Sequence, residues 1–247
     1  RDGAKIPGLR GASTEASHLM ALKFAAAASE AVIENPEAEL EEYRIRGRPT
    51  DRALTEAALE AGFRKDDMQN KGEILDQLPF DETRKFSAAI LRGPHENILA
   101  VVGAPEKILG HSGNIHVDGH TASLKSEYFQ KINERYLNLV RHGLRVVAVA
   151  HKNTEGAEID SKDPALLSGL SFVGFIAMRD PVRPDIREAV ATSREAGIRT
   201  VIVTGDHAYT AQAIAEEVGI KIPDDAVLVG AELEKLSDAA LQKRAVG

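Results

Sequence analysis

Two polar loops follow apolar runs in the last third of the chain, and both carry side chains suited to handling an anion. Val201-Ile-Val203 leads into Thr204-Gly-Asp-His207, and the run from Leu170 to Met178 leads into Asp180-Pro181. Thr204 offers a hydroxyl donor, and Gly205 lets backbone come close to a ligand. A helix expected just after this loop presents its free N–H groups to the same spot, which favours an anion. Thr, Gly and Asp are also common in capped β-to-α turns, so the loop alone leaves a structural role open. His111, His116 and His120 flank a hairpin signal at Asp118-Gly119. No carboxylate lies at convincing ligand spacing, so they read as a solvated loop rather than a metal site. A Walker phosphate loop and a dinucleotide fingerprint are both missing.

The elements that must position these loops alternate. A strand over 170–178, a helix over 184–196, a strand over 199–203, a helix over 208–218 and a short strand over 226–229 predict a parallel sheet with crossover helices. Buried parallel strands read as unbroken apolar runs, and ligands gather beyond their carboxyl ends. The earlier part of the chain has another rhythm. A helix is expected over 15–34, stopped by Asn35-Pro36, and a second over 51–61 with Thr50 as N-cap and Gly62 as stop. Strands are expected over 73–78, 86–91 and 98–102, then a long helix over 123–142 closed by Gly143, then a strand over 144–150. This block is α+β with antiparallel strands. The polar stretch 153–168 reads as a loop near a domain boundary.

Composition narrows the possibilities. The chain has 247 residues, 43% of them apolar, which is enough for two cores of moderate size. Acidic residues outnumber basic ones 38 to 31, and the net charge of -7 argues against nucleic acid as a partner. There are no cysteines, so thiolate metal sites, disulfides and cysteine nucleophiles are excluded. The apolar runs are strand-sized, far short of the roughly 18 residues of a membrane helix, so no membrane insertion of this segment is expected.

The stretch from Leu170 to Ile220 resembles the phosphorylation domain of P-type cation-transporting ATPases, a member of the haloacid-dehalogenase-like superfamily. The resemblance rests on Asp180-Pro-Val-Arg183-Pro184, Glu195-Ala-Gly-Ile-Arg199 and Val201-Ile-Val-Thr-Gly-Asp-His207. It implies that Thr204 bonds the phosphoryl group carried by a catalytic aspartate, with Gly205 and Asp206 completing the motif. It also implies that Asp180, Arg183 and Asp206 line the hinge and nucleotide side of the cleft.

The middle of the chain resembles the nucleotide-binding domain of the same family. Gly47-Arg-Pro-Thr-Asp51 with Ala53-Leu54 is similar to its Gly-x-x-Thr-Glu-x-Ala-Leu stretch, and Asp51 stands where a Glu faces the adenine amino group. Leu78-Pro-Phe-Asp-Glu-Thr-Arg-Lys85 contains the Pro-Phe-x-x-x-Arg-Lys pattern. There Phe80 stacks on adenine and Lys85 takes charge on the phosphate side. Val102-Gly-Ala-Pro-Glu106 resembles the Lys-Gly-Ala-Pro-Glu signature, which places Val102, Gly103 and Ala104 at the nucleotide. Val102 replaces the Lys and carries no charge. Gly143-Leu-Arg145 resembles the strand whose Arg reaches the phosphates.

The family's phosphorylated Asp-Lys-Thr-Gly and its Gly-Asp-Gly-x-Asn-Asp motif, which holds Mg²⁺, do not occur here. The resemblance therefore implies an α/β chain: a nucleotide-binding domain over residues 1–165 and an incomplete parallel, Rossmann-like phosphorylation domain over 166–247. It implies an ATP-binding fragment of a pump, on the cytoplasmic side of a membrane, positioning ATP for phosphoryl transfer to an aspartate outside these residues. The partners it implies are ATP, Mg²⁺ held mostly by other residues, and the membrane and actuator domains of the parent pump. A soluble phosphatase of the same superfamily and a degenerate regulatory module are the rival expectations.

Overall fold

The computed structural model describes residues 14–38, 42–117, 120–179, 182–183, 185–204, 208–222, 226–233, 236–237 and 240. Asp118-Gly119, with its hairpin signal, lies outside them. The chain divides into two compact units, residues 1–136 with 146–178, and residues 137–145 with 179–247.

The first unit is built on one seven-stranded sheet. Its strands are β3 (Ile74–Asp81), β4 (Phe86–Leu91), β5 (Asn97–Gly103), β6 (Ser112–Val117), β7 (His120–Ser123), β8 (Arg145–Thr154) and β9 (Leu170–Met178), in the order β3-β4-β5-β8-β9-β6-β7. β3, β4, β5 and β8 pair antiparallel in sequence, while β6 pairs parallel with β9. Two short strands, β1 (Val32–Ile33) and β2 (Ile45–Arg46), form a separate antiparallel pair.

Helices cover both faces of the large sheet. On one face lies α1 (Thr14–Ala28), with α2 (Pro49–Glu60) and α3 (Lys65–Asn70) beside it. Ala25, Ala26, Ala27 and Ala28 are all buried there with Phe24, Leu54, Ala89, Ala100 and Val102. A helix apolar on every side is a buried helix, and small side chains let it sit close to the strands. The other face packs Phe86, Ala88, Ile90, Leu99 and Val101 against Ile108 and Leu109 of α4 (Pro105–Gly110) and Ile132 of α5 (Ser126–Arg141). All six residues of β4 are buried. Two covered faces explain why these strands read as apolar runs without alternation.

Several expectations change. The helix expected over 15–34 ends at Ala28, and Val32 and Ile33 form β1 instead. Thr50 lies inside α2, whose N-cap is Arg48 followed by Pro49 at the first turn. Proline suits that position because its missing N–H would be unpaired there anyway. β9 joins the first unit's sheet rather than opening a separate parallel sheet. Only its first three residues, Leu170 to Phe172, are fully buried. His116 sits 7% exposed in β6, not in a solvated loop.

The second unit holds α6 (Ile186–Glu195), α7 (Ala208–Glu217) and α8 (Gly230–Leu233). Arg179 pairs with Glu217 at 2.8 Å, and Arg187 donates to the Glu217 carbonyl at 2.7 Å. The strands expected over 199–203 and 226–229 do not form among the described residues. Val201 is 70% and Val203 92% exposed. An apolar run becomes a parallel strand only when neighbours accept its backbone bonds and cover its faces.

Candidate functional site

β3 is an edge strand, and its end carries the Pro-Phe pair. Its register with β4 shifts between Leu78 and Asp81. Pro79, which has no N–H to give the ladder, sits in that irregularity, as prolines in sheets do. The Phe80 N–H leaves the ladder and donates to Glu30 Oε1 at 2.5 Å. The half-buried Phe80 ring lies under the Arg48 guanidinium, whose carbon is 4.7 Å from the ring centroid.

The β1–β2 pair brings Arg48 there. Its register matches Val32 with Arg46 and Ile33 with Ile45, and continued outward it sets Glu30 opposite Arg48. Arg48 Nη2 donates to Glu30 Oε1 at 2.8 Å. Gly47 makes the approach possible. Its φ is +156°, and a Cβ there would lie 3.0 Å from Cα and Cβ of Ala31. Arg48 Nε also donates to Asp51 Oδ2 at 2.8 Å.

Asp51 is buried in the first turn of α2, near the positive end of the helix dipole. A buried carboxylate needs such partners. Ser29 Oγ donates to the Asp51 carbonyl at 3.3 Å and lies 3.0 Å from Thr55 Oγ1, tying the end of α1 to α2. Lys65 Nζ donates to the Ser29 carbonyl at 2.5 Å. Burial pulls the Lys65 ammonium below its ordinary pKa, while Asp66, Asp51 and Glu30 oppose that pull.

Past Phe80 the chain turns. Asp81 Oδ1 accepts from the N–H groups of Thr83 and Arg84, and the Arg84 bond above all holds its carboxyl below the usual range. Lys85 N–H donates to the Asp81 carbonyl at 2.7 Å. Lys85 has φ +64°, the one positive value on a non-glycine residue among those described, and its side chain is exposed. L-residues pay for this conformation unless surroundings impose it, and such strain concentrates at functional positions. Here the surroundings include β5, because Ala104 N–H donates to the Lys85 carbonyl at 2.9 Å. Gly103 faces Phe86 across the ladder. Val102 is 4% exposed in the core beneath α1. A lysine there would need an exit to solvent for its ammonium, and valine simply packs.

The first unit therefore gathers Asp51 and Phe80 around Arg48, and gathers Lys85, Gly103 and Ala104 at the β3–β4 turn. The Lys85–Asp81 bond joins the second group to the residue after Phe80. The other expected site residues lie elsewhere. Arg145 opens β8 with an exposed side chain. In the second unit, Thr204 is exposed, and Arg183 pairs with Asp185 at 3.2 Å. Asp180, Gly205 and Asp206 lie outside the described residues.

Glu30, Arg48 and Lys65 escaped the sequence reading. Arg48 lay inside the Gly-x-x-Thr stretch at a position that accepts any residue, and Glu30 and Lys65 belong to no motif. Only the β1–β2 register could have pointed to the first two. Among the described residues, no group of three or more His, Cys, Asp or Glu side chains could hold a metal ion. No helix among them is long and apolar enough to cross a membrane.

Comparison with known proteins gives a consistent result. The family described as P-type ATPase, cytoplasmic domain N, matches residues 19–185. A calcium-transporting ATPase of Bacillus subtilis is 32% identical over 201 residues, covering 81% of this chain and 22% of that protein. A plasma membrane-type calcium-transporting ATPase of rice, Oryza sativa, is 33% identical over 198 residues, covering 79% and 19%. The sodium/potassium-transporting ATPase alpha subunit of Tetronarce californica is 35% identical over 167 residues, covering 62% and 16%. The chain thus spans about a fifth of the length of these relatives.

Proposed function

Because the chain belongs to the family of the P-type ATPase cytoplasmic domain N, we propose that it binds ATP for a cation-transporting pump. One observation carries this reading: a planar N–H donor, the Arg48 guanidinium, already lies on the Phe80 ring while bonding the Asp51 carboxylate. An adenine ring asks for the same two features, an aromatic face and an acceptor for its amino group. Phe80 takes the base, Asp51 accepts from the amino group, and exposed Lys85 supplies positive charge toward the phosphates. Gly103 and Ala104 fix the Lys85 backbone from the neighbouring strand. Val102 lies buried in the core and adds no charge, so Lys85 carries more of the electrostatic attraction than in a chain with two lysines.

In the whole pump the γ-phosphoryl group passes to an aspartate, a reaction governed by positioning and charge neutralisation. Mg²⁺ supplies part of that neutralisation when bound. Thr204, Gly205 and Asp206 serve the phosphoryl end, with Arg145, Asp180 and Arg183 on the nucleotide side, as the family resemblance implies. The second unit then belongs to the haloacid-dehalogenase-like phosphorylation domain, and the partners are the membrane and actuator domains on the cytoplasmic side. The test is calorimetric titration with a non-hydrolysable ATP analogue. Saturable binding is expected, and Phe80→Ala should weaken it by about 1–3 kcal/mol, the usual loss of one base stack. An analogue that gives no binding heat, or that binds Phe80→Ala as tightly as wild type, refutes the reading.

A further inference from the structure

Arg48 occupies both features that the proposed adenine site offers. Its guanidinium covers a face of the Phe80 ring at 4.7 Å, and its Nε–H fills the Asp51 carboxylate at 2.8 Å. Glu30 completes the clamp, bonding Arg48 Nη2 with the same oxygen that receives the Phe80 N–H. Backbone geometry holds this arrangement in place. The β1–β2 register sets Glu30 opposite Arg48, and Gly47 packs so closely on Ala31 that a Cβ would sit 3.0 Å from its Cα and Cβ.

A guanidinium resembles an aminopurine edge in the properties that matter here. It is flat, it stacks on aromatic faces, and it donates N–H bonds in its own plane. We propose that Arg48 is a built-in competitor of the base, a side chain that must leave Phe80 and Asp51 before adenine can take their place. The proposal rests on Phe80 being the base platform, and it adds a regulatory role for a residue that no motif assigns. The structure suits such a device. The Arg48 side chain is partly exposed, as is Glu30, so it has solvent to swing into. What it gives up is largely exchanged, since the base restacks on Phe80 and its amino group returns a donor to Asp51, while the cation–π contact itself is worth a factor of about two to five in an equilibrium. Asp51 is not left without a nearby positive charge when Arg48 departs, because Lys65 interacts with both Asp51 and Glu30.

The experiment uses adenosine, which has no phosphate and so reports the base site without the loss of a positive charge acting on an anion. Adenosine is titrated into the 247-residue chain, into Arg48→Gln, into Glu30→Gln and into Phe80→Ala. Arg48→Gln is expected to bind adenosine about two- to five-fold more tightly than wild type. Glu30→Gln, which loosens the clamp without removing Arg48, should shift the affinity in the same direction by less. Salt provides a readout that needs no variant. The clamp consists of ion pairs, so added sodium chloride should tighten adenosine binding to wild type and leave Arg48→Gln flat. That arm also decides the matter if Arg48→Gln folds poorly. Unchanged or weaker adenosine binding in Arg48→Gln, or no salt effect on wild type, overturns the proposal. Adenosine binding that survives Phe80→Ala at full strength overturns instead the base-platform reading on which it stands.

Discussion

Replacing Gly103 with alanine tests the coupling between β5 and the Lys85 turn. A Cβ at Gly103 would lie 2.5 Å from the Lys85 carbonyl oxygen, 2.6 Å from Phe86 Cβ and 2.8 Å from Phe86 Cα. All three are far inside ordinary contact, which begins near 3.4 Å. Two of these atoms are backbone of the neighbouring strand, so no flexible side chain can yield. Relief requires the Lys85 carbonyl to retreat by about 0.9 Å, the difference between those distances. The same oxygen accepts from Ala104 N–H at 2.9 Å, and that bond would be lost. Overpacking costs about 1–3 kcal/mol and a lost hydrogen bond about 1 kcal/mol more. For a chain of this size, 1 kcal/mol moves the midpoint by roughly 2–4 °C. Differential scanning calorimetry should therefore show the first unit melting about 5–15 °C lower. Gly174→Ala is the control, since nothing lies within 4 Å of its Cβ position, and it should leave the midpoint in place. Equal melting of the two variants would refute the close-approach argument, and with it the claim that β5 sets the Lys85 backbone.

Other outcomes follow from the same geometry. Lys85→Gly should raise stability by about 0.5–1 kcal/mol by relieving the positive φ, yet weaken ATP more than adenosine; a fall in both stability and adenosine binding would contradict the assigned role. His151, pulled down to about 4 by burial first and by His116 second, stays neutral in the folded chain. The unfolded chain binds more protons below its ordinary value near 6.5, so stability should fall as pH drops from about 6.5 toward 4. His151→Phe should flatten that slope in urea titrations across pH, since Phe24 and His116 already form its apolar and aromatic surroundings; an unchanged slope would place the acid sensitivity elsewhere. Hydrogen exchange should protect amides of 86–103 far more than those of 186–217, because α6 buries none of its residues while β4 buries all six; equal protection would overturn the ranking.

Much of the first unit was legible because local rules agreed with the global fold. β4 and β5 announced themselves as apolar runs between turn residues, and the helix stops at Gly62 and Gly143 carry positive φ, as expected of left-handed stops. Phe80, Lys85 and the Gly-Ala-Pro-Glu stretch could be named from motifs alone. What they touch could not. Arg48 reaches Phe80 across a sequence distance that only the β1–β2 pair closes. The β9 run looks like the opening of a parallel sheet, but an apolar run says nothing about which strands will flank it, and here they are β8 and β6. His116 reads as solvated beside its turn residues, but β6 is covered on both faces there, so that Ile115 and His116 are both buried, and the His116 ring nitrogens find no hydrogen-bond partner among the described residues. The run 199–203 shows the reverse failure, with strand-like residues that lie exposed and irregular.

The claim that Phe80 is the platform for an adenine base is tested most directly by nuclear Overhauser contacts between a bound ATP analogue and the protein. The account predicts contacts from adenine ring protons to the Phe80 ring, with the Lys85 side chain perturbed on the phosphate side. Saturable binding with no adenine contact to Phe80, or with contacts confined to residues 179–247, would contradict it.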